Sequence, residues 1–342
     1  MTRFLPRRAA TTVVSCAAAL AALAAPAGAQ QAGAQPTDGR DMVLFDGFED
    51  TSFAPGGGLF YKKNREQGAG SYTFESEVVR SGKQAIDLSV RSQCKQVNGL
   101  CSERAEVWEK PEVLVLYGEP VWYAFSMQMA QPIPTERHRY VMAQWKREID
   151  PGADGDFSPL LALRMIDGRI AVTVDTDQAT FTATGCQPGD TPASTPDSFS
   201  QFRSLVALGA GGTSTETAKA AGFTGCTQDQ RVTARGGEIP ALTSGWIDFV
   251  FQVKPGPNGD GRIDILANGA WVATVEGTIG HKGDGLGSHM YFKFGPYRAG
   301  QDGEWRIYYD DFRRGPNCTD VAPEKVCAQV TASAGGVSSA TP

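Results

Sequence analysis

The stretch 289–298, His-Met-Tyr-Phe-Lys-Phe-Gly-Pro-Tyr-Arg, combines side chains that could transfer a proton. Side chains of an extended strand alternate between two faces, so Lys293 and Tyr297, four residues apart, fall on the same side. A positive neighbour favours the phenolate form of a tyrosine, which makes the two residues a candidate proton-transfer pair. A sheet face with amphipathic residues at its rim would show the same pattern, and this stretch alone does not separate the two interpretations.

Two other predicted strands also carry a polar and aromatic face behind an apolar one. In 102–108, alternation places Arg104, Glu106 and Trp108 on one face. In 138–146, the polar face carries His138, Tyr140, Met142, Gln144 and Lys146. If the three strands lie side by side, one sheet gathers cations, an amide and aromatic rings.

Such a surface suits an acidic sugar, because aromatic rings cover sugar faces and cations pair with carboxylates. The reaction that fits is β-elimination. The C5 proton of a uronate becomes acidic once its carboxylate is neutralised, and a base and an acid then complete the cleavage. Hydrolysis of a glycosidic bond uses two carboxylic acids, and this face offers only Glu106.

Three motifs resemble the active-site strands of jelly-roll polysaccharide lyases: Arg104-Ala-Glu106, Gln144-Trp-Lys146 and the segment 291–298. The resemblance spans roughly residues 43–316 and is closer to the heparin lyase I and glucuronan lyase group than to the alginate lyases of the same fold. It implies an enzyme, a carbon–oxygen lyase that acts on an acidic polysaccharide.

The resemblance also implies individual roles. Tyr297 would protonate the leaving oxygen and could also be the base, Lys293 would tune it or bind substrate, and Arg104 and Gln144 would neutralise the uronate carboxylate. The residues that would bind substrate are Glu106, Trp108, His138, Tyr140, Tyr291 and Arg298.

Lys146 departs from the family pattern, which usually has a histidine at this position. A lysine, with a reference pKa of about 10.4, is a poor base near neutral pH unless burial or neighbouring cations lower that pKa. Lys146 could be such a base. Alternatively, it only neutralises the carboxylate while Tyr297 handles both protons, which needs fewer special conditions.

The elements that must position these residues are short strands. Gly (40) and Pro (20) are frequent, no segment shows sustained helical periodicity, and Asp167-Gly168 and Asn268-Gly269 are typical of hairpin turns. Ten or more strands predict an all-β fold, a jelly-roll β-sandwich with a concave substrate-binding sheet. Besides the three strands above, the predicted strands are 71–79, 84–90, 121–129, 160–165, 169–175, 246–254, 262–267, 271–276 and 306–312.

The beginning of the chain predicts export. Three arginines precede an alanine-rich apolar run at 9–25, and Ala27-Gly28-Ala29 provides a small-residue cleavage site. We therefore expect a secreted or periplasmic protein. The predicted regions are a signal peptide at 1–29, a mobile leader at 30–42, the lyase domain at 43–316 with a loop-rich insertion at 176–240, and a disulfide-stapled, partly disordered tail at 317–342.

The formal charge of −6 becomes about −9 after cleavage, which disfavours nucleic-acid binding. We expect a monomer with an acidic polysaccharide as partner and no membrane contact after cleavage. The alternative function is a non-catalytic, lectin-like carbohydrate-binding sandwich, which needs the aromatic rings and cations but not the pair Lys293 and Tyr297.

Six cysteines remain after cleavage, an even number that predicts disulfides in an exported protein. Nearest-neighbour pairing gives Cys94–Cys101, Cys186–Cys226 and Cys318–Cys327, one of fifteen possible connectivities. No cofactor is required for this chemistry. The habits of related sandwiches suggest a structural Ca²⁺ site, for which the candidate ligands are Asp46, Glu49, Asp310 and Asp311.

Overall fold

The computed structural model describes residues 39–54, 56–61, 68–93, 101–134, 139–151, 153, 159–176, 202–211 and 229–334. These residues form two nine-stranded antiparallel sheets, the jelly-roll β-sandwich that the sequence predicts. Strands are numbered along the chain.

The first sheet contains, in spatial order, β13 (Gln230–Ala234), β16 (Ala270–Ile279), β15 (Gly256–Ala267), β14 (Ile247–Lys254), β8 (Val121–Met129), β18 (Glu304–Gly315), β4 (Ala85–Arg91) and β3 (Gly70–Glu75), with β1 (Leu44–Asp46) also on β18.

The second sheet contains, in spatial order, β12 (Phe202–Leu208), β11 (Arg169–Thr176), β10 (Leu161–Ile166), β9 (Tyr140–Ile149), β17 (Leu286–Ala299), β6 (Val107–Glu109) and β2 (Phe60–Tyr61), with β5 (Ser102–Arg104) and β7 (Val115–Leu116) also on β17.

In both sheets a strand from the end of the chain joins strands from its beginning to strands from its middle. In the first sheet, β18 lies between β8 and β4. In the second sheet, β17 lies between β9 and the short strands β5, β6 and β7. In each sheet one C-terminal strand, β18 or β17, therefore connects the strands on its two sides.

Aromatic side chains from the inner faces of both sheets form the core. Phe292 of β17 stacks on Phe312 of β18, with ring centroids 5.8 Å apart and planes inclined by 12°. It also contacts Trp145 of β9 at 4.6 Å and Phe125 of β8 at 5.4 Å. Burial of one such side chain contributes roughly 1.5–3 kcal/mol, so this packing fixes the position of β17 against the opposite sheet.

The predicted hairpin turns are present between β10 and β11 and between β15 and β16. Asp167 and Asn268 have φ values of 48° and 47°, and the glycine after each also has a positive φ. Positive φ at both central residues is the geometry of the tight turns that match the twist of antiparallel strands.

A bulge in β9 overturns the strict alternation that the sequence predicts for 138–146. Relative to β10, Leu163 pairs with Ala143 but Arg164 pairs with Val141, so Met142 is an extra residue in β9. Its carbonyl oxygen accepts a hydrogen bond of 2.7 Å from the Tyr309 hydroxyl of the opposite sheet. Tyr140 and Val141 consequently face the sides opposite to the predicted ones.

Two regions are more regular than predicted. The sequence predicts a loop-rich insertion at 176–240, and the described residues of this segment include β12 and β13, which pair with β11 and β16. At the C-terminus, two helices follow β18: α1 (Cys318–Val321) and α2 (Glu324–Ala334). Helix α2 continues seven residues past Cys327, so this part of the tail predicted to be partly disordered is helical. Two short 3₁₀ helices, Gly39–Asp41 and Pro111–Val113, complete the described helices.

The disulfide Cys318–Cys327 is confirmed and joins α1 to α2. Cys101 is also disulfide-bonded, while its predicted partner Cys94 lies outside the described residues. The predicted pair Cys186–Cys226 lies outside them as well.

The acids predicted as calcium ligands accept hydrogen bonds from protein donors. Asp46 accepts from the Phe48 amide, and Glu49 accepts from the Lys83 amide. Asp310 accepts from two backbone amides of the turn 80–81, whose serine hydroxyl donates to Asp311. Within the described ranges, no three His, Cys, Asp or Glu side chains are arranged to hold a metal ion. No described helix is long and apolar enough to span a membrane.

Candidate active site

The three sequence motifs meet on the second sheet, with β17 in the centre. Lys293 of β17 pairs in register with Trp108 of β6 on one side and with Gln144 of β9 on the other. Tyr297, nearer the end of β17, pairs with Arg104 of β5. Side chains from three distant parts of the chain therefore lie next to one another.

Glu106 lies at the centre of this arrangement and is fully buried. Its Oε1 accepts a hydrogen bond from Gln144 Nε2, and its Oε2 accepts one of 3.0 Å from Lys293 Nζ. Arg104 Nε lies 3.2 Å from the same Oε2. The sequence predicts that Glu106 binds substrate. Both of its oxygens are bonded and the residue is fully buried, so Glu106 instead positions the other three side chains.

A backbone irregularity in β17 makes room for Glu106. Phe294 pairs with Ala143 and Tyr297 pairs with Val141. Two residues of β17, Gly295 and Pro296, therefore lie opposite one residue of β9, Met142. Gly295 has a φ of 122°, and a Cβ there would lie 2.1 Å from the Ala105 carbonyl oxygen. Only glycine permits the backbone of Ala105 to lie so close. The segment between β5 and β6, which contains Glu106, is thereby held against β17.

Lys293 is 4% exposed, and its ammonium nitrogen lies 4.6 Å from the centre of the Trp108 ring. Burial lowers the pKa of Lys293, the negative charge of Glu106 opposes that change, and Arg104 adds to it. The structure bonds the Lys293 ammonium to Glu106 and not to Tyr297, its predicted partner.

Tyr297 is half-buried and lies against two guanidinium groups. The guanidinium carbons of Arg104 and Arg139 lie 4.1 Å and 4.7 Å from its ring centre. Its hydroxyl oxygen lies 3.5 Å from Ser102 Oγ, which accepts a hydrogen bond of 2.7 Å from Arg139 Nη2. Neither Arg139 nor Ser102 is predicted from the sequence. Ser102 could have been identified, because it lies two residues before Arg104 and therefore on the same face of an extended strand.

Aromatic rings border the site on the other side of Lys293. Tyr291 stacks on Trp108 with ring centroids 5.5 Å apart, and Tyr61 lies 6.5 Å from the same indole. Burial raises the pKa of Tyr291, so its hydroxyl stays protonated. Lys146, half-buried, pairs in register with Tyr291. This edge presents stacked rings suited to a sugar face.

Besides Glu106, two further residues predicted to bind substrate lie in the interior. Tyr140 is 2% exposed and packs edge-on against Trp305, because the bulge in β9 turns it toward the core. Arg298 is 1% exposed, and its Nε donates to Glu103 over 2.6 Å. Arg298 directly follows Tyr297 in the strand and therefore faces the opposite side. His138 lies outside the described residues.

A family model described as polysaccharide lyase matches residues 56–313, which is more than half of the chain. This chain belongs to the polysaccharide lyase family. The matched region includes all three motifs that meet around Glu106. No curated protein sequence matches the chain.

Solved structures similar to this family member include an endo-β-1,4-glucuronan lyase from the fungus Trichoderma reesei, with a TM-score of 0.51 and 15% identity over 83% of this chain and 99% of the other. The cellulose-induced protein Cip1 matches with a TM-score of 0.41 and 12% identity, covering 80% and 97% of the two chains. The alginate lyase A1-II′, of polysaccharide lyase family 7, matches with a TM-score of 0.37 and 15% identity, covering 71% and 82%. At these identities the likeness concerns the fold.

Proposed function

We propose that this member of the polysaccharide lyase family is an exported enzyme that cleaves a uronic-acid polymer, glucuronan-like or alginate-like, by β-elimination. The observation that carries the proposal is the cationic cluster beside Tyr297. Arg104 and Lys293 share the single buried carboxylate of Glu106, and Arg139 lies against Tyr297. Positive charge concentrated in an acidic protein suits a polyanionic ligand.

The first requirement of the reaction is neutralisation of the substrate carboxylate. Gln144 is 3% exposed and donates one Nε2 hydrogen to Glu106. In this proposal the second N–H of the same amide donates to a uronate oxygen. Arg104 and the ammonium of Lys293 supply positive charge at the same place. These groups are fixed before substrate arrives, which is the condition under which they stabilise an enolate-like intermediate most effectively.

The second requirement is proton transfer. A base removes the C5 proton, the C4–C5 double bond forms, the C4–oxygen bond breaks, and an acid protonates the departing oxygen. In this proposal Tyr297 is the acid, and Arg104 and Arg139 stabilise the negative charge that develops on its oxygen when it gives up the proton. The base is either Tyr297 itself or Lys146.

The geometry favours elimination over hydrolysis. A glycosidase of the usual kind needs two carboxyl groups on either side of the scissile bond. Glu106 is fully buried with both oxygens bonded, so it is not placed to protonate a glycosidic oxygen. Tyr297, Arg104 and Arg139 are the more accessible charged or proton-carrying groups of the site.

The decisive experiment follows ultraviolet absorbance while the purified protein is incubated with glucuronan, alginate, pectate, hyaluronan and heparan. Elimination leaves a conjugated, absorbing unsaturated uronate, whereas hydrolysis and binding do not. We expect absorbance to rise with glucuronan or alginate, since the acidic protein disfavours heavily sulfated polymers. Binding without any rise in absorbance would support the carbohydrate-binding alternative.

Tyr297→Phe separates the two functions. In a lyase, removal of the hydroxyl should lower kcat by about 10²- to 10⁴-fold and leave the affinity for polymer largely unchanged. In a binding module it should alter neither property noticeably. Tyr72→Phe, at an exposed position on the first sheet, is the matched control and should behave as the wild type.

A further inference from the structure

Arg164 is a buried cation that the arrangement around Glu106 does not use. It lies in β10 and is 6% exposed. Its Nε donates to Thr173 Oγ1 over 2.9 Å, and among the described residues neither terminal nitrogen has a hydrogen-bond or ion-pair partner. A guanidinium that is largely removed from water normally has a carboxylate beside it.

The acid that acts on Arg164 electrostatically, Asp175, is bonded to another cation. Asp175 is 1% exposed and accepts hydrogen bonds of 3.1 Å and 3.0 Å from Arg203, which holds it in a two-pronged pair. Arg203 and Asp175 neutralise each other, and Thr173 carries no charge. Asp175 attracts Arg164 through space, Arg203 and Arg139 oppose its charge, and no described carboxylate is bonded to its terminal nitrogens. Burial lowers the pKa of Arg164 to about 9, which still leaves it protonated at neutral pH.

Arg164 lies in the same transverse row of the second sheet as Tyr297. Tyr297 pairs with Val141, and Val141 pairs with Arg164, so the two backbones are two strand spacings apart, about 10 Å. Arg164 is also close enough to Tyr297 and Arg139 to interact with both electrostatically. Arg164 thus flanks Tyr297 on the side of β10, away from the stacked rings of Trp108 and Tyr291.

We propose that Arg164 binds the carboxylate of a second uronate of the same polymer, so that recognition requires at least two acidic sugars close together along the chain. This inference rests on the proposed function of the site, because it assumes that the polymer crosses the strands at Tyr297. The substrate carboxylate would pair with the terminal nitrogens of Arg164, which no described carboxylate bonds. A guanidinium can donate two parallel hydrogen bonds to a carboxylate.

Calorimetric titration tests this on the Tyr297→Phe background, in which binding is measured without turnover. The probes are glucuronan and alginate oligosaccharides, and the same oligosaccharides with their carboxyl groups reduced to alcohols. Arg164→Met should raise Kd for the acidic oligosaccharides about 10- to 100-fold, the effect of losing a hydrogen bond between charged groups. It should leave Kd for the reduced oligosaccharides unchanged. Equal Kd values for both proteins with the acidic probes would overturn the proposal.

Two controls separate binding from folding. Arg231→Met removes an exposed arginine of the first sheet that pairs with Glu276, and should leave every Kd unchanged. Arg164→Lys retains the charge and should recover part of the affinity for acidic oligosaccharides. If Arg164→Met and Arg164→Lys weaken binding of the acidic and reduced probes equally, the residue is only structural and the proposal fails.

Steady-state kinetics distinguishes this proposal from the proposed function. If the wild type eliminates a polyuronate, Arg164→Met should raise KM with little change in kcat, because it removes binding away from the reacting bond. Suppose that the wild type forms no unsaturated product but Arg164→Met still weakens binding of acidic oligosaccharides selectively. That result would support the carboxylate site and contradict the proposed lyase activity.

Discussion

The ammonium nitrogen of Lys293 lies 3.0 Å from Glu106 Oε2, and the two side chains are 5% and 0% exposed. This buried pair is not electrically balanced, because Arg104 Nε lies 3.2 Å from the same oxygen. One carboxylate therefore holds two cations, and a net positive charge is fixed beside Tyr297. A charge fixed in this way requires no rearrangement when a polyanion arrives.

Glu106→Gln should destabilise the fold, because it leaves Lys293 buried without a negative partner. Breaking a buried ion pair costs roughly 3–5 kcal/mol, and denaturant unfolding measures the change. Asp260→Asn breaks the exposed pair with Lys254, in which Asp260 is 69% exposed, and should change stability by no more than ~1 kcal/mol. Similar losses in the two variants would show that the Glu106 pair is not buried in solution.

The pH dependence of kcat/KM should report Lys293. Burial lowers the pKa of Lys293, so its positive charge, and the activity that needs it, should be lost at a pH below the ordinary value of 10.5. Glu106 acts to raise that pKa, so Glu106→Gln should move the alkaline limb of the profile to still lower pH. A limb that stays in place or moves upward would contradict this assignment.

The same pKa shift sets a stability trend. The folded protein holds the Lys293 proton less tightly than the unfolded chain does. Between the lowered pKa and 10.5, the unfolded chain binds more protons, so this group makes stability rise with pH in that window. Lys293→Met should remove that rise, which unfolding curves recorded at several alkaline pH values would show.

Arg139→Ala should lower kcat by about two- to fivefold, since an exposed cation over an aromatic ring contributes about 0.5–1 kcal/mol. Arg139→Lys should restore part of the rate by keeping the charge. Arg313→Ala is the matched control, because that guanidinium covers the Phe45 ring at 4.8 Å on the first sheet. Equal effects of Arg139→Ala and Arg313→Ala on kcat would argue against a role for Arg139 at Tyr297.

Replacement of both Cys318 and Cys327 by serine should destabilise the protein without affecting kcat. A disulfide that closes a short loop contributes about 2–3 kcal/mol. Helices α1 and α2 pack against Trp122, Leu266 and Trp271 of the first sheet, whereas the candidate active site lies on the second. Calorimetry should show a lower melting temperature. A fall in kcat measured below that melting temperature would mean that packing on the first sheet affects the candidate active site on the second.

Local periodicity predicted the parts of the site that depend on one strand. Phe292 and Phe294 are buried in the core, and Lys293 lies with Trp108 and Gln144 on the other face of the sheet. Alternation within β17 requires no knowledge of neighbouring strands, which is why the sequence predicted it.

Alternation failed where a neighbouring strand decides the geometry. Tyr140 faces the core because Met142 bulges, and the Tyr309 hydroxyl that bonds the Met142 carbonyl oxygen comes from the opposite sheet. Arg164 was missed because a single charge within the apolar run 160–166 says nothing about which strand lies beside it. Both outcomes depend on long-range pairing, which a pattern confined to one segment does not contain.

The central positions of β17 and β18 determine when the protein can fold during synthesis. Each joins early strands to middle strands, so an emerging chain lacks the connection between the two halves of both sheets until residue 315 has left the ribosome. Contacts of such large sequence separation form slowly. A nascent chain that ends before Tyr297 cannot form the pairing of Arg104 with Tyr297, so the candidate active site cannot assemble before β17 has been synthesised.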